Sequence, residues 1–302
     1  MERKIVVVGS ANTDLVMNTE RIPVPGETII GGSFMVNAGG KGANQAVAAA
    51  RLGGSVVFIA KVGMDDYGRN AKKAYASEGI DISCVFDDPV NHSGVAFIIV
   101  DKAAENCIVV APGANSALST GDIDSSEKVI RGAEYMLVQL EVPMAIVEYA
   151  VDMAHRHGVK VILNPAPAAP LSDNVLGKID ILTPNRVEAE LISGVKVVTM
   201  EDAKMAAEAI HRMGVRDVLI TLGADGVLGL YGGQFVHVPA FPVTPVDTTA
   251  AGDVFNGALA VALSKGWDME RAIAFGCRAS AIAVTRLGAQ SSIPTKAEVE
   301  MM

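Results

Sequence analysis

The chain has 302 residues, half of them apolar, and a net charge of −9 at neutral pH. This length can bury a large core, either in one large α/β domain or in two unequal domains. The acidic balance argues against a nucleic-acid surface, which needs clustered Lys and Arg, so small anions must be held by local features.

The first predicted element is a buried strand over 4–10, KIVVVGS. Its apolar run is too short for a signal peptide, and no apolar stretch in the chain approaches the length of a membrane span. Three widely separated cysteines, Cys84, Cys107 and Cys277, have no metal-binding spacing and indicate reduced thiols. We therefore expect a cytoplasmic protein.

Further along the chain, buried strands alternate with helices. Continuous apolar, β-branched runs predict six strands, over 4–10, 55–63, 135–140, 159–165, 179–185 and 217–223. Helical spacing of Ala, Glu, Lys and Leu predicts helices over 41–52, 65–78, 143–157, 185–193 and 199–213, and the chain after 250 is mostly helical. The alternation predicts an α/β fold with one doubly wound, mostly parallel sheet flanked by helices.

Two segments interrupt this alternation. Residues 15–36 and 94–110 have the composition of antiparallel hairpins and are rich in turn residues. They are too short to form a domain core, so we interpret them as a small β-sheet lid inserted over one edge of the main sheet.

Polar residues follow five of the predicted strands, in GSANTD, QLE, NP, TPNRVE and TLGADG. Ligands of open α/β sheets bind at the carboxyl ends of the strands, where these residues would meet. Taken singly, Asn12 and Asp14 could be turn residues and Glu141 a surface carboxylate. Because all of these polar residues would lie together at one edge of the sheet, we interpret them as parts of a binding site.

A glycine-rich turn over 37–53, NAGGKGANQAVAAARLG, runs into an alanine-rich helix. A P-loop would need Gly at Met35 and Ser or Thr at Gly42, and a dinucleotide fingerprint would need its glycines directly after the first strand. Both patterns fail. A flexible turn that caps a helix remains the alternative for this stretch.

The segment 246–259, VDTTAAGDVFNGAL, places two aspartates and a run of small residues before a long apolar helix. Helix capping accounts for one aspartate. The small residues instead predict a helix N-terminus whose bare N–H groups can be approached by an anion.

These two stretches, with PGET, LNPAPA, TPNRVEAE, ITLGADGV and VTRLGAQ, resemble the signature regions of the ribokinase (PfkB) family of carbohydrate kinases. The resemblance runs from GSANTDLV to RLGAQSSIP and implies one kinase domain over 1–302. It implies ATP-dependent phosphorylation of D-ribose at its 5-hydroxyl. Alternatives are a kinase of the same family for deoxyribose or another furanose sugar or nucleoside, or a non-catalytic sugar or nucleotide sensor.

The resemblance also implies roles for individual residues. Asp253 matches the base that takes the proton of the attacking hydroxyl, and the amides of Ala250, Ala251 and Gly252 match an anion hole for the transferring phosphoryl group. We expect the helix N-terminus to lower the pKa of Asp253. The sugar-binding positions are Asn12, Thr13, Asp14, Gly40, Lys41, Gly42, Ala43, Asn44, Glu141 and Asp253. Asp14 is expected to accept from two adjacent hydroxyls.

On the nucleotide side, the resemblance implies binding of ATP with Mg²⁺. The matching positions are Asn185, Glu188, Thr221, Leu222, Gly223, Ala224, Asp225, Gly226, Gly252 and Cys277. Cys277 stands at the adenine position, where the family pattern has His or Asn. Asn185 and Glu188 would equally serve as a helix cap with an acidic first turn.

A potassium loop is the last implied site. Its matching positions are Asp247, Thr249, Ala283, Arg286, Gly288 and Ser292. The alternative for Asp247 is a carboxylate that only caps its loop. By resemblance, the lid closes over the sugar to exclude water and pairs two subunits in a homodimer.

Overall fold

A computed structural model describes residues 3–103 and 105–302. The strands of these residues are β1 (Lys4–Val8), β2 (Asn12–Asn18), β3 (Ser33–Gly39), β4 (Ser55–Gly63), β5 (Asp81–Asp88), β6 (Gly94–Val100), β7 (Asn106–Ala111), β8 (Ala133–Val138), β9 (Lys160–Leu163), β10 (Ile181–Leu182), β11 (Asp217–Thr221), β12 (Val227–Tyr231) and β13 (Gln234–Val238). The helices are α1 (Lys41–Arg51), α2 (Asp66–Ser77), α3 (Thr120–Ser125), α4 (Glu127–Arg131), α5 (Met144–Arg156), α6 (Asp173–Leu176), α7 (Arg186–Ser193), α8 (Met200–Arg212), α9 (Ala251–Ser264), α10 (Met269–Ala283) and α11 (Lys296–Met301).

The large sheet has the strand order β13-β12-β11-β10-β9-β8-β1-β4-β5. Its seven strands from β11 to β5 run parallel, and β12 and β13 add an antiparallel edge. The chain leaves β1 toward β4 on one side and later returns to β8 on the other. The order of strands therefore reverses between β1 and β8, which creates a crevice at their carboxyl ends.

Two hydrophobic cores cover the two faces of this sheet. Along β1, Ile5 and Val7 belong to one core, while Val6 and Val8 belong to the other, and all four are fully buried. Side chains of a strand alternate between faces, so a continuous apolar run is needed when helices cover both. The prediction of a doubly wound, mostly parallel sheet is confirmed.

The predicted helices agree with the structure to within one residue at each end. The extra residues are caps: the side chains of Asp65 and Thr199, for example, accept from the backbone N–H groups of Gly68 and Asp202. Four predicted strands were too long, because the Gly, Pro and polar residues that follow β1, β9, β10 and β11 leave the ladder. Strands β5, β12 and β13 were not predicted from the sequence.

The small sheet has the order β3-β2-β6-β7 and forms the lid. Strands β2 and β3 pair antiparallel, as do β6 and β7, while β2 and β6 pair parallel. The predicted segment 15–36 covers most of β2, its connection and part of β3, and 94–110 covers nearly all of β6 and β7. Since β2 begins four residues after β1 ends, the lid starts at the carboxyl edge of the large sheet.

Within the described part of the chain, no helix is both long enough and apolar enough to cross a bilayer. The three cysteines carry free thiols, with Cys84 and Cys277 buried and Cys107 exposed on β7.

Candidate active site

A cleft with a volume of about 190 Å³ opens at the carboxyl ends of β9, β10 and β11 and at the N-termini of α1 and α9. Its walls are formed by Lys41, Asn164, Ala166, Thr183, Asn185, Glu188, Thr221, Thr248, Ala250, Ala251, Gly252, Asp253 and Asn256. A second depression, of about 390 Å³, has Asn12 and Glu141 in its walls together with Val110 of the lid. The backbone N–H of Lys41 donates to Oε2 of Glu141 at 2.9 Å and joins the two walls.

Glycines bring the start of α1 against the end of β1. A Cβ atom on Gly42 would lie 2.6 Å from the backbone of Gly9 and Ser10, and Gly40 has a φ of 89°. Any larger residue at 42 would push α1 away from the strand. The close approach lets the hydroxyl of Ser10 donate to Oε2 of Glu141 at 2.6 Å and fixes this wall of the second depression.

Asn12 and Asp14 lie at the start of β2, where the chain enters the lid. The amide of Asn115 donates to Oδ1 of Asn12 at 2.7 Å and to the carbonyl of Ala11 at 3.2 Å. Asp14 has no hydrogen-bond partner among the described residues, and burial, reinforced by the charge of Glu141, raises its pKa to about 6. The carboxylate of Asp14 is therefore held ready for a ligand that donates hydrogen bonds.

Asp253, in the first turn of α9, is 5% exposed and is held from both sides by α1. Nδ2 of Asn44 donates to its Oδ2 at 2.9 Å, and Nε2 of Gln45 donates to its Oδ1 at 3.1 Å. Burial raises its pKa, and the charge of Lys41 and the two amides only partly oppose the shift. The expected lowering was therefore wrong: the loss of water around the carboxylate outweighs the favourable groups nearby.

The N-terminus of α9 has no side-chain cap. Ala250 is the N-cap, with φ 60° and ψ 8°, and it is the one non-glycine residue with a positive φ among those described. Ala251 N–H donates to the carbonyl of Thr248 at 3.2 Å, whereas the N–H groups of Gly252 and Asp253 have no partner in the described structure. A Cβ atom on Gly252 would meet nothing within 4 Å, so open space lies directly above free amides. An anion fits this space.

Lys41 is the cation of this cleft. Burial opposes its charged form, yet the carboxylates of Asp253, Glu141 and Glu188 raise its pKa above the ordinary value. Burial raises the pKa of Glu188 as well. One lysine among three carboxylates leaves the cleft short of positive charge, which suits a ligand that arrives with a cation.

Asn185 and Glu188 cap α7 reciprocally. The side chain of Asn185 accepts from the N–H of Glu188 at 2.9 Å, and Oε2 of Glu188 accepts from the N–H of Asn185 at 2.8 Å. The helix-cap interpretation therefore holds, and both residues also line the cleft. Thr221 ends β11 beside them, in a parallel bridge to Asn185.

The turn over 222–226 leads away from the cleft. Leu222 is buried, Gly223 and Gly226 have positive φ angles, Ala224 is exposed, and Asp225 pairs with Arg186 at 2.6 Å. Other predicted positions also lie off the cleft walls: Ala43 is fully buried in the core, and Cys277 is buried on α10, where the loss of water raises its pKa to about 12. Thr13 lies on β2 between Asn12 and Asp14, so its side chain projects to the face of the strand opposite theirs.

In the predicted potassium loop, residues 246–249 are hydrogen-bonded to the segment that follows α10. The N–H groups of Val246 and Asp247 both donate to the carbonyl of Val284, and Asp247 accepts from Thr249 N–H and Gly288 N–H at 2.9 Å each. Although burial opposes it, these hydrogen bonds hold the pKa of Asp247 below its ordinary value. The segment after α10 contains the other predicted positions: Ala283 and Ser292 are buried, and Arg286 pairs with Glu298 at 2.5 Å.

Five buried polar residues around the site were missed from the sequence. They are Gln45, Gln139, Asn164, Thr183 and Asn256. A polar side chain in an alanine-rich helix or at the end of a buried strand needs a partner, and this signal was available in NQAVAAA, QLE, NP and TPN. What the sequence lacked was the identity of each partner.

The comparisons with known proteins bear on this geometry. The model of the pfkB family carbohydrate kinases matches residues 2–296. This chain belongs to the pfkB family of carbohydrate kinases.

Its relatives in that family include a ribokinase from Haemophilus influenzae, 47% identical over 298 residues, which cover 99% of this chain and 97% of the relative. A deoxyribokinase from Salmonella typhi is 38% identical over 292 residues, covering 96% of this chain and 95% of the relative. The solved structure of Arabidopsis thaliana ribokinase complexed with ribose and ATP has a TM-score of 0.94 and 32% identity, and the match covers 100% of this chain and 98% of that one. The chain is thus an ATP-dependent sugar kinase with the ribokinase fold.

Proposed function

We propose that this protein transfers the γ-phosphoryl group of ATP to the 5-hydroxyl of D-ribose, giving D-ribose 5-phosphate and ADP. One observation carries the proposal: a desolvated carboxylate, Asp253, lies in the first turn of a helix whose uncapped amides face an open cleft. The carboxylate orients the attacking hydroxyl and accepts its proton, while the amides of Gly252 and Asp253 stabilise charge on the migrating group. The similarity to ribokinases supports ribose as the acceptor.

Unpaired polar atoms support the sugar site. Oδ1 of Asn44 is buried without a partner among the described residues, and Asp14 is an acceptor without a donor. A furanose sugar supplies several hydroxyl donors in fixed geometry, so it would satisfy both acceptors. An analogue lacking one hydroxyl would leave an acceptor unpaired and would bind more weakly.

ATP would lie along the cleft with its phosphates toward α9. Glu188 and Asn185 fit Mg²⁺ held through water, because the buried carboxylate of Glu188 has one oxygen free and lies where positive charge is scarce. When bound, Mg²⁺ neutralises part of the phosphate charge. Thr221 would border the phosphates in the cleft, the turn over 222–226 would run along the part of the nucleotide outside it, and Cys277 would lie beyond them toward the adenine.

K⁺ would bind beside the anion hole. The donor set fits a monovalent ion, since one ionised carboxylate, Asp247, lies against the segment after α10, which would supply backbone carbonyls around Ala283, Arg286 and Gly288 and the hydroxyl of Ser292. No cluster of three or more His, Cys, Asp or Glu that could hold a metal occurs in the described residues. When bound, K⁺ adds positive field to the loop that leads into α9.

The lid would close over the sugar and join two copies of the chain as a homodimer. In the register of the small sheet, Val36, Leu15, Phe97 and Val109 stand opposite one another, and three of them are more than half exposed. An exposed apolar row of this kind favours a protein contact.

An acceptor panel tests the proposed function. ADP release is measured with ribose, 2-deoxyribose, fructose, nucleosides and 5-deoxyribose, each with K⁺ or with Na⁺. We expect the highest kcat/KM with ribose, lower activity with Na⁺, and no turnover with 5-deoxyribose, which lacks the attacking hydroxyl. The Asp253→Asn variant should lose about a thousandfold in kcat with little change in either KM.

Other outcomes would change the assignment. A higher kcat/KM with 2-deoxyribose would make the protein a deoxyribokinase like its relative from Salmonella typhi. Binding of ribose and ATP without any ADP release would indicate a sensor. Normal turnover by the Asp253→Asn variant would contradict the role of that carboxylate.

A further inference from the structure

A buried row of amide side chains runs beneath the site. Gln139, at the end of β8, donates from Nε2 to Oε1 of Gln45 at 2.6 Å. Nε2 of Gln45 donates to Oδ1 of Asp253 at 3.1 Å and to Oδ1 of Asn164 at 3.2 Å. Gln45 and Gln139 are both fully buried, so neither amide can exchange these partners for water.

The row fixes which end of the Gln45 amide faces Asp253. An ionised carboxylate only accepts hydrogen bonds, so the NH₂ end of Gln45 must point toward it. Gln139 complements this orientation, because its NH₂ group donates to Oε1 of Gln45, the oxygen that points away from Asp253. The arrangement leaves Oε1 of Gln139 without a partner among the described residues. An unsatisfied buried acceptor is costly, which indicates that the orientation of Gln45 matters.

The same row reaches the anion hole. Nδ2 of Asn164 donates to the carbonyl of Thr183 at 3.2 Å, and the hydroxyl of Thr183 donates to Oδ1 of Asn256 at 2.7 Å. Nδ2 of Asn256 then donates to the carbonyl of Gly252 at 2.8 Å. One chain of hydrogen bonds therefore holds both the carboxylate of Asp253 and the peptide group that precedes it.

We propose that Gln45 is a positioning residue for the phosphoryl transfer, that it fixes the rotation and the charge of the Asp253 carboxylate, and that Gln139 acts only through Gln45. The inference rests on the proposed function. Asn44 holds the other oxygen of Asp253, so the two neighbouring residues of α1 together restrain both carboxylate oxygens. A restrained base loses less freedom when the hydroxyl arrives.

The proposal predicts a specific pH effect. A hydrogen bond donated to a carboxylate favours its charged form, so loss of the Gln45 amide raises the pKa of Asp253 further. The base must be unprotonated to act, and the acid limb of the rate profile therefore moves to higher pH. Replacement of Gln45 by Met keeps the length of the side chain and removes all three hydrogen bonds.

The experiment measures single-turnover phosphoryl transfer to ribose between pH 5 and 9 for Gln45→Met, Gln139→Met and the double variant. Gln234→Met, at an exposed position on β13, is the control for the substitution itself. For Gln45→Met we expect the rate at pH 7 to fall tenfold or more, with the acid limb shifted upward by about one pH unit and KM for ribose and ATP within threefold. Adding Gln139→Met should then change nothing more.

Three results would overturn the inference. The acid limb could stay in place while the rate falls, which would make Gln45 merely structural. The Gln45→Met rate could equal that of the unaltered protein. The two substitutions could act additively, which would give Gln139 an independent role. If Gln45→Met fails to fold, Gln45→Glu tests the same point, because a second buried carboxyl beside Asp253 should shift the acid limb upward even more. Absence of turnover in the unaltered protein would instead refute the proposed function.

Discussion

The carboxylate of Asp14, at the start of β2, lowers the stability of the folded protein when it is charged. Its pKa of about 6 lies above the ordinary value of 3.8 because burial disfavours the charge. The folded state therefore binds this proton more tightly than the unfolded state does. The penalty is absent below pH 3.8, grows as the pH rises toward 6, and is complete above that pH.

This shift predicts opposite effects of Asp14→Asn on stability and on function. At pH 8 the variant should melt a few degrees above the unaltered protein, and the gain should vanish near pH 4. Its KM for ribose should rise at least tenfold, with little change for ATP, because the amide cannot accept from two hydroxyls as a carboxylate does.

Melting curves and initial rates at several pH values check both effects. In the unaltered protein, KM for ribose should itself rise as the pH falls below about 6, since Asp14 becomes protonated there. A KM that stays flat from pH 5 to 8 would contradict the placement of Asp14 at the sugar.

Gln45 shows which features of a single residue can be predicted from the sequence and which cannot. The motif NAGGKGANQAVAAARLG predicted the helix and the roles of its first residues. Gln45 stands within that motif, but its partner Asp253 is 208 positions further along the chain, and no local pattern connects the two. The left-handed conformation of Ala250 was equally unforeseen, because alanine carries no signal for a positive φ.

At Gly252, the second residue of α9, a substitution should lower catalysis without affecting folding. Gly252 is helical and a Cβ atom there would enter open space, so Gly252→Ala should fold normally. The added methyl group would occupy the place of the phosphoryl group above the free amides. We expect kcat to fall about a hundredfold, the loss typical of a disabled anion hole, with an unchanged melting temperature.

A matched control exists on α3. Gly121 is also the second residue of its helix, and a Cβ atom there would meet only the hydroxyl of Ser119, at 3.7 Å. Gly121→Ala should leave both activity and stability as they are. Equal activities of the two variants would place the phosphoryl group elsewhere.

The close packing of α1 on α9 sets the distance between the side chains of Gln45 and Asp253. Gly257 lies one turn after Asp253, and a Cβ atom on it would lie 2.7 Å from Cβ of Ala48 and 2.9 Å from the carbonyl of Gln45. Gly257→Ala should therefore push the two helices apart and lengthen the bond from Gln45 to Asp253. We expect a loss of about 1–3 kcal/mol in the free energy of unfolding, measured by denaturant titration, and a lower kcat. Full activity at reduced stability would show that the close packing serves stability alone.

Elements buried on both faces were the most predictable from sequence. The run over 55–63 matches β4 residue for residue, because helices on both sides of the sheet require continuous apolar side chains. The strands β5 and β13 escaped because they lie at the two edges of the sheet and mix polar with apolar residues, whereas β12, between β11 and β13, escaped because Gly229 interrupts its short apolar run. The parallel pairing of β2 with β6 joins residues 82 positions apart, such as Asn12 and Gly94, and no local sequence pattern predicts it.

For the whole molecule, the proposed homodimer depends on the exposed face of the small sheet. Phe97 is 55% exposed and stands between Leu15 and Val109 in the register. Phe97→Glu should place a charge in the subunit contact and yield a monomer in sedimentation velocity experiments. Val90→Glu, at an 86% exposed position before the lid, should leave the assembly intact. A monomer in the unaltered protein, or a dimer in the Phe97→Glu variant, would contradict a contact through this face.

The reversal of strand order between β1 and β8 determines where the whole site lies. Residues after these strands, Ser10 and Glu141, meet there, and α1 and α9 direct their N-termini to the same edge. The alternation of strands and helices predicted a site at the carboxyl edge of the sheet, but not the order of the strands that meet there. The lid was also foreseen, but its register was not, because its strands lack the continuous burial that fixes the large sheet.

The strained N-cap at Ala250 has a practical consequence for protein engineering. Glycine at position 250 would adopt the φ of 60° without the steric penalty that alanine has. A neutral residue at position 14 would avoid the cost of burying the charge of Asp14. A directed-evolution campaign scored only by heat resistance would thus collect replacements at these two positions. Replacements of Asp14 would gain heat resistance and lose affinity for ribose, so a screen for industrial use must reward turnover in every round.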